Sequence, residues 1–165
     1  MCSSDLEKIK SYAHTKKELE LWEIKSIINF SGEYKSDNLI NECLSGNILQ
    51  FKKILSELYF NTVNQIFLLR ILSSKTQRLL LLKMKELEKD YKSVDELIDK
   101  SKPIIFWQEK PIIKTQLSVW NLSALKKIIY EINNIEILCK KRPQLSRIAA
   151  FNFFSKSCKK ANNDS

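Results

Sequence analysis

The sequence is poor in the residues that form tight turns and phosphate-binding loops. Two glycines, Gly32 and Gly46, and three prolines occur in 165 residues. Sandwiches and barrels need many tight turns, in which glycine and proline predominate, so the composition argues against an all-β architecture. Two glycines fourteen positions apart also exclude the Gly-x-Gly-x-x-Gly and Gly-x-x-x-x-Gly-Lys loops that bind nucleotide phosphates.

Residues with catalytic or metal-binding chemistry are equally scarce. The chain has one histidine, His14, and four cysteines, none of them in a Cys-x-x-Cys spacing. Zinc sites and Ser-His-Asp or Cys-His centres need such residues together, so we predict no metal, no cofactor and no catalytic site. Scattered cysteines, no visible signal peptide and no apolar run of membrane-spanning length predict a cytoplasmic protein without membrane contact. An enzyme that uses His14 stays open as an alternative.

Apolar residues recur at helical spacing along the whole chain. The clearest amphipathic stripe runs from Leu122 to Cys139, and Val63–Asp90 is apolar on more than one side, as is typical of a central buried helix. Residues suited to helix termini separate the stripes: Asn47, Ser93, Pro111 and Asn121 at helix starts, and Gly46 just past a helix end. We therefore predict an all-α bundle of six or seven helices.

The charge changes character near residue 33. Residues 1–33 carry a net charge of −1, whereas residues 34–165 carry +10. The stretch Asn29–Gly32 is a plausible helix stop, and the next helix is predicted to start at Ser36. These features predict a small helical domain over residues 1–33 and a helical bundle over 34–160. The polar end from Ser157 is expected to fray, with residues 161–165 disordered.

Aromatic residues interrupt the helical pattern at one point. Ile104–Trp107 is apolar but too short for an independent strand, and we predict a buried loop or the lead into the next helix. Trp22, Trp107 and Trp120 are expected to anchor the core or an interface. Core packing is favoured for Trp107, although an aromatic in an irregular segment is also typical of partner contacts.

Basic residues form two groups. The first is Arg70, Lys75, Arg78, Lys83, Lys85, Lys89 and Lys92. The second is Lys140, Lys141, Arg142, Arg147, Lys156, Lys159 and Lys160, a stretch without an acid. Such groups contact phosphates or an acidic surface, or they are simply solvated faces and favourable charges at helix C-termini. A basic helical module that binds nucleic acid directly is therefore an alternative function.

Several segments, taken in order, resemble one known family. They are Leu6–Ala13, Leu19–Ile24, Leu39–Asn47, Leu68–Leu72 followed by Gln77–Leu79, Pro103–Trp107, Gln116–Leu117, Trp120–Leu122 and Glu136–Lys140. Their order and residue types are similar to the C-terminal half of the delta subunit of bacterial DNA polymerase III, a clamp-loader subunit. Asn121 stands where the family usually has a Ser or Thr cap, and Asn41 stands where it usually has Asp.

The resemblance implies the end of a small lid domain over residues 1–33 and a helical collar domain over 34–160. The family's ATPase-like N-terminal domain, which contacts the sliding clamp, has no counterpart here, so we expect no clamp opening by this chain alone. The implied function is assembly with gamma/tau and delta-prime into the ring that loads the clamp in DNA replication, with DNA contacted through the complex. The chain would thus belong to a DNA-directed DNA polymerase (nucleotidyltransferase) holoenzyme without hydrolysing ATP. Candidate interface residues from motif position are Arg70, Gln77, Arg78, Phe106, Trp107, Gln116 and Lys140.

Overall fold

The computed structural model describes residues 10–11, 20, 30–58, 64–88 and 91–163. Contacts divide the chain into two compact units, residues 1–38 and 39–165. The sites described below lie in the second unit. His14 and Trp22 lie outside the described residues, as does most of the predicted lid domain, so the assignment of residues 1–33 and 34–160 to lid and collar stays a prediction.

The described part of the chain forms seven α-helices and no strand. They are α1 (Phe30–Leu44), α2 (Ile48–Glu57), α3 (Gln65–Leu87), α4 (Val94–Asp99), α5 (Lys110–Val119), α6 (Leu122–Lys141) and α7 (Pro143–Asn163). The prediction of an all-α bundle is confirmed. The predicted caps are also found: the side chains of Asn47, Ser93 and Asn121 each accept a backbone N–H at the start of α2, α4 and α6.

Helix α3 is the centre of the bundle. It packs most extensively against α6 and also touches α4, α5 and α7. Its buried residues are Leu68, Leu69, Leu72, Thr76, Leu79 and Leu82. The hydroxyl of Thr76 donates to the carbonyl of Leu72 at 2.7 Å, so this polar group is satisfied inside the helix. The prediction of a central buried helix within Val63–Asp90 is therefore confirmed by α3.

Three local predictions were wrong. Helix α1 begins at Phe30 instead of Ser36, so residues 30–32, which were predicted to be part of a stop and linker, are helical. The predicted fraying from Ser157 is also wrong as far as Asn163, because α7 continues to that residue and buries Cys158 and Ala161. The third error concerns the aromatic loop between α4 and α5, which is described below.

The end of α1 lies against the end of α7. Gly46 has a φ of +74°, the left-handed conformation predicted for it, and its N–H donates to the carbonyl of Cys43 at 3.3 Å. A Cβ at this position would lie 2.7 Å from the backbone N of Asn162, so only glycine permits the close approach.

Two cysteines pack at the same junction. The thiol of Cys43 donates to the carbonyl of Phe154 at 3.5 Å, and the thiol of Cys158 lies 4.0 Å from the carbonyl of Glu42. A hydrogen bond with Cys158, together with complete burial, raises the pKa of the Cys43 thiol. Cys43 is therefore a packing residue and a poor nucleophile at neutral pH.

Candidate partner interface in the α4–α5 loop

The segment between α4 and α5 is an irregular loop that is held at both ends. At its start, the hydroxyl of Ser101 donates to the carbonyls of Ile98 and Pro103, at 2.9 and 3.4 Å. In its middle, Ile105 is buried in the core. At its end, the N–H of Glu109 donates to the carbonyl of Phe106 at 2.9 Å. One buried side chain and these short bonds fix the path of the loop.

Ion pairs tie the same loop to its surroundings. The Arg78 guanidinium on α3 lies 3.2 Å from the Glu109 carboxylate, and both side chains are half-buried. Lys110 pairs with Asp99 at 2.5 Å and thereby joins the two ends of the loop. These links connect α3, α4 and α5 around the segment. Because the first pair is partly shielded from water, it holds the loop more firmly than a fully exposed pair would.

The held loop presents three large apolar side chains to solvent. Ile104 is 76% exposed, Phe106 72% and Trp107 75%. The prediction of a buried loop is therefore wrong except at Ile105, and the core placement favoured for Trp107 is wrong. The physical reason for Ile104 and Phe106 is alternation: the chain turns Ile105 inward, so its two neighbours turn outward. Trp107 begins the turn that leads into α5, where alternation no longer applies. We call Ile104, Phe106 and Trp107 the aromatic loop surface.

Gln116, unlike the other candidate interface residues, is buried in the core. It is 2% exposed, and its amide donates to the carbonyl of Asn41 at 3.2 Å. Trp120, one turn later, donates from Nε1 to the carbonyl of Leu44 at 2.7 Å. The Leu44 carbonyl is at the last residue of α1 and so has no N–H partner within the helix, whereas the Asn41 carbonyl also accepts the N–H of Ser45 at 2.9 Å. These side chains therefore fix α1 against the junction of α5 and α6.

Arg70 and Lys140 come together on α3 and α6. Both approach the carboxylate of Glu136, Arg70 at 3.7 Å and Lys140 at 2.6 Å. The hydrogen bond from Lys140 and the nearby Arg70 charge lower the pKa of Glu136. Gln77 is exposed, and its amide donates to the hydroxyl of Ser73 within α3 at 3.1 Å. The candidate residues thus fall into a loop group, a carboxylate-centred group, one buried amide (Gln116) and one exposed amide (Gln77).

Sequence reasoning missed part of the exposed apolar surface of α3. Met84 and Leu87 were expected to contribute to a buried helix, yet both are exposed, as is Leu81. Their three-residue spacing, which places them near one helix face, was the available signal. Glu109 was also missed, although a carboxylate immediately before a helix start is recognisable because the helix dipole favours a negative charge there.

The residues around the α4–α5 loop are better placed to contact a protein than to bind a metal ion or a small-molecule substrate. The cleft beside Arg78 and Glu109 has a volume of about 20 Å³, enough for about one water molecule. Among the residues that the structure describes, no group of three or more His, Cys, Asp or Glu is placed to hold a metal ion. Within the same residues, no helix combines the length and apolarity that crossing a membrane requires.

Comparisons of the chain with protein-family models, curated proteins and solved structures found no match.

Proposed function

We propose that this chain is the collar part of a clamp-loader delta subunit and that it assembles with gamma/tau and delta-prime subunits in replication. The proposal rests on the ordered sequence resemblance and, above all, on the aromatic loop surface. Large exposed apolar side chains on a fixed loop are typical of protein–protein interfaces, whose energetic centres are enriched in tryptophan and arginine.

The size of the available contact supports a protein partner. An aromatic side chain buries roughly 150–250 Å² when it is covered, and apolar burial contributes about 25 cal/mol per Å². Covering Trp107 alone would therefore contribute about 3 kcal/mol or more before the costs of association. Arg78 lies beside this loop through Glu109, so a partner that covers the loop would also shield an arginine–carboxylate pair.

The proposal is tested by measuring assembly with purified gamma/tau and delta-prime subunits by analytical ultracentrifugation. We expect a complex with the wild-type chain and an affinity roughly 30-fold or more weaker with Trp107→Ala, the loss of about 2 kcal/mol typical of an interface hot spot. Arg78→Glu should also weaken assembly, because it places two carboxylates together. Leu49→Ala on α2 is the matched control, since Leu49 is as exposed as Trp107 but lies outside the loop.

Circular dichroism establishes that each variant keeps its helical content. The proposal is wrong if the wild-type chain forms no complex with these subunits. The role of the aromatic loop surface is wrong if Trp107→Ala and Phe106→Ala both assemble like the wild type, or if Leu49→Ala weakens assembly equally.

A further inference from the structure

A second surface, on α6 and α7, carries a concentrated positive charge. A cleft of about 380 Å³ lies between the two helices, and its lining holds four lysines: Lys127, Lys156, Lys159 and Lys160. Glu131 is the one acid in the lining. We call this the basic cleft. Its net charge of about +3 is produced by side chains from two helices that approach each other only in the folded protein.

The described part of the chain does not neutralise the cleft lysines. In the described part of the chain, none of the four makes an ion pair, whereas Lys83, Lys100, Lys110, Lys114 and Lys140 each do. Lys160 has its ammonium 5.9 Å from the ring centroid of Trp120, a cation–π distance that leaves its charge uncompensated. Four like charges beside one another raise each other's energy, and an external anion relieves that repulsion.

The side chains that line the basic cleft favour a phosphate over the carboxylates of an acidic peptide. Its apolar member, Ile128, is 2% exposed and offers no pocket for the apolar side chains that anchor a peptide. Ammonium groups and the hydroxyl of Ser157 are suitable contacts for phosphate oxygens. No aromatic side chain lines the cleft, so it has no platform on which unpaired bases could stack.

We propose that the basic cleft binds the phosphate backbone of duplex nucleic acid without reading its sequence. The lysines of α7 lie within five residues, Lys156 to Lys160, which is about 6 Å along the helix axis. Duplex DNA has a phosphate about every 3.4 Å of axis on each strand, so this span faces about two phosphates of one strand, with Lys127 positioned from the opposite wall. The site is separate from the aromatic loop surface and does not depend on the proposed assembly.

The test is fluorescence anisotropy with a labelled 20-base-pair duplex at several NaCl concentrations. We expect the logarithm of the binding constant to fall with the logarithm of salt concentration with a slope of about −2 or steeper, and to be insensitive to base sequence. Lys127→Gln and Lys159→Gln should each weaken binding and make the slope shallower by about 1. Lys126→Gln is the matched control, because Lys126 neighbours Lys127 and is exposed but does not line the cleft.

Glu131→Gln supplies a test of opposite sign. Removing the one acid of the lining should strengthen duplex binding severalfold, and a gain of affinity cannot arise from misfolding. The proposal is overturned if Lys126→Gln weakens binding as much as Lys127→Gln, or if Glu131→Gln leaves affinity unchanged. It is also overturned if polyglutamate competes as well as the duplex at equal charge, since the cleft would then be a site for acidic protein. Loss of subunit assembly with intact duplex binding would refute the proposed function alone.

Discussion

The two described tryptophans provide a matched pair for testing the fold. Trp120 is 1% exposed and its indole N–H donates to the carbonyl of Leu44 at 2.7 Å, whereas Trp107 is 75% exposed. Leu44 is the last residue of α1, so its carbonyl has no partner within the helix. Replacing each tryptophan by phenylalanine removes the same atoms from a buried and an exposed position.

The two substitutions are expected to lower the free energy of unfolding by clearly different amounts. Trp120→Phe leaves a buried carbonyl without its donor, which costs about 1–3 kcal/mol. It also leaves unfilled volume in the core, which adds about 1 kcal/mol or more. We therefore expect Trp120→Phe to lower the free energy of unfolding by about 2–4 kcal/mol. Trp107→Phe should change it by less than about 0.5 kcal/mol, the usual range for surface substitutions.

Urea denaturation followed by far-ultraviolet circular dichroism measures both values, because the signal reports the helices and not the replaced indole. The dependence of the unfolding free energy on urea should be the same for the wild type and both variants, so that the midpoints can be compared. The structural argument is refuted if Trp107→Phe is the more destabilising change, or if Trp120→Phe unfolds at the wild-type midpoint.

Two further predictions concern stability. Gly46→Ala should lower the free energy of unfolding by more than about 1 kcal/mol, because the position has φ +74° and the new Cβ would lie 2.7 Å from the N of Asn162; a urea midpoint equal to that of the wild type would contradict the close approach of α1 and α7. The lowered pKa of Glu136 means that its ion pairs stabilise the fold fully above its ordinary pKa of 4.5 and lose this effect as the pH falls through the lowered native value. Glu136→Gln should consequently cost up to about 1 kcal/mol at about pH 6, and this cost should shrink as the pH is lowered progressively below 4.5. A difference in urea midpoint from the wild type that stays constant as the pH is lowered would refute the assignment.

Local signals in the sequence were sufficient for the helices and most of their ends. Asn47, Ser93 and Asn121 were identifiable as caps because capping depends on one side chain and a backbone N–H two or three residues away. Gly46 was identifiable for the same local reason. The start of α1 and the end of α7 could not be identified from the sequence, because the polar residues there resemble those of a linker or a frayed tail. Contacts with distant parts of the chain, such as burial of Ala161, keep the end of α7 helical.

The surfaces were less predictable because they depend on packing between distant segments. Trp120 is buried because its indole meets Leu44, 76 residues earlier in the sequence. Nothing in the residues around Trp107 distinguishes it from such a core position. The basic cleft was anticipated only in part: the sequence grouped Lys156, Lys159 and Lys160, but Lys127 joins them through the packing of α6 on α7.

The two proposed surfaces follow different physics, and one variable separates them. The aromatic loop surface would bind through removal of apolar area from water, an effect that moderate salt changes little. The basic cleft would bind through release of counterions from phosphates, so its affinity must fall steeply with salt. Subunit assembly that persists at a salt concentration at which duplex binding is lost would therefore assign the two functions to two surfaces. Parallel loss of both would mean that the lysines, and not the loop, hold the partner.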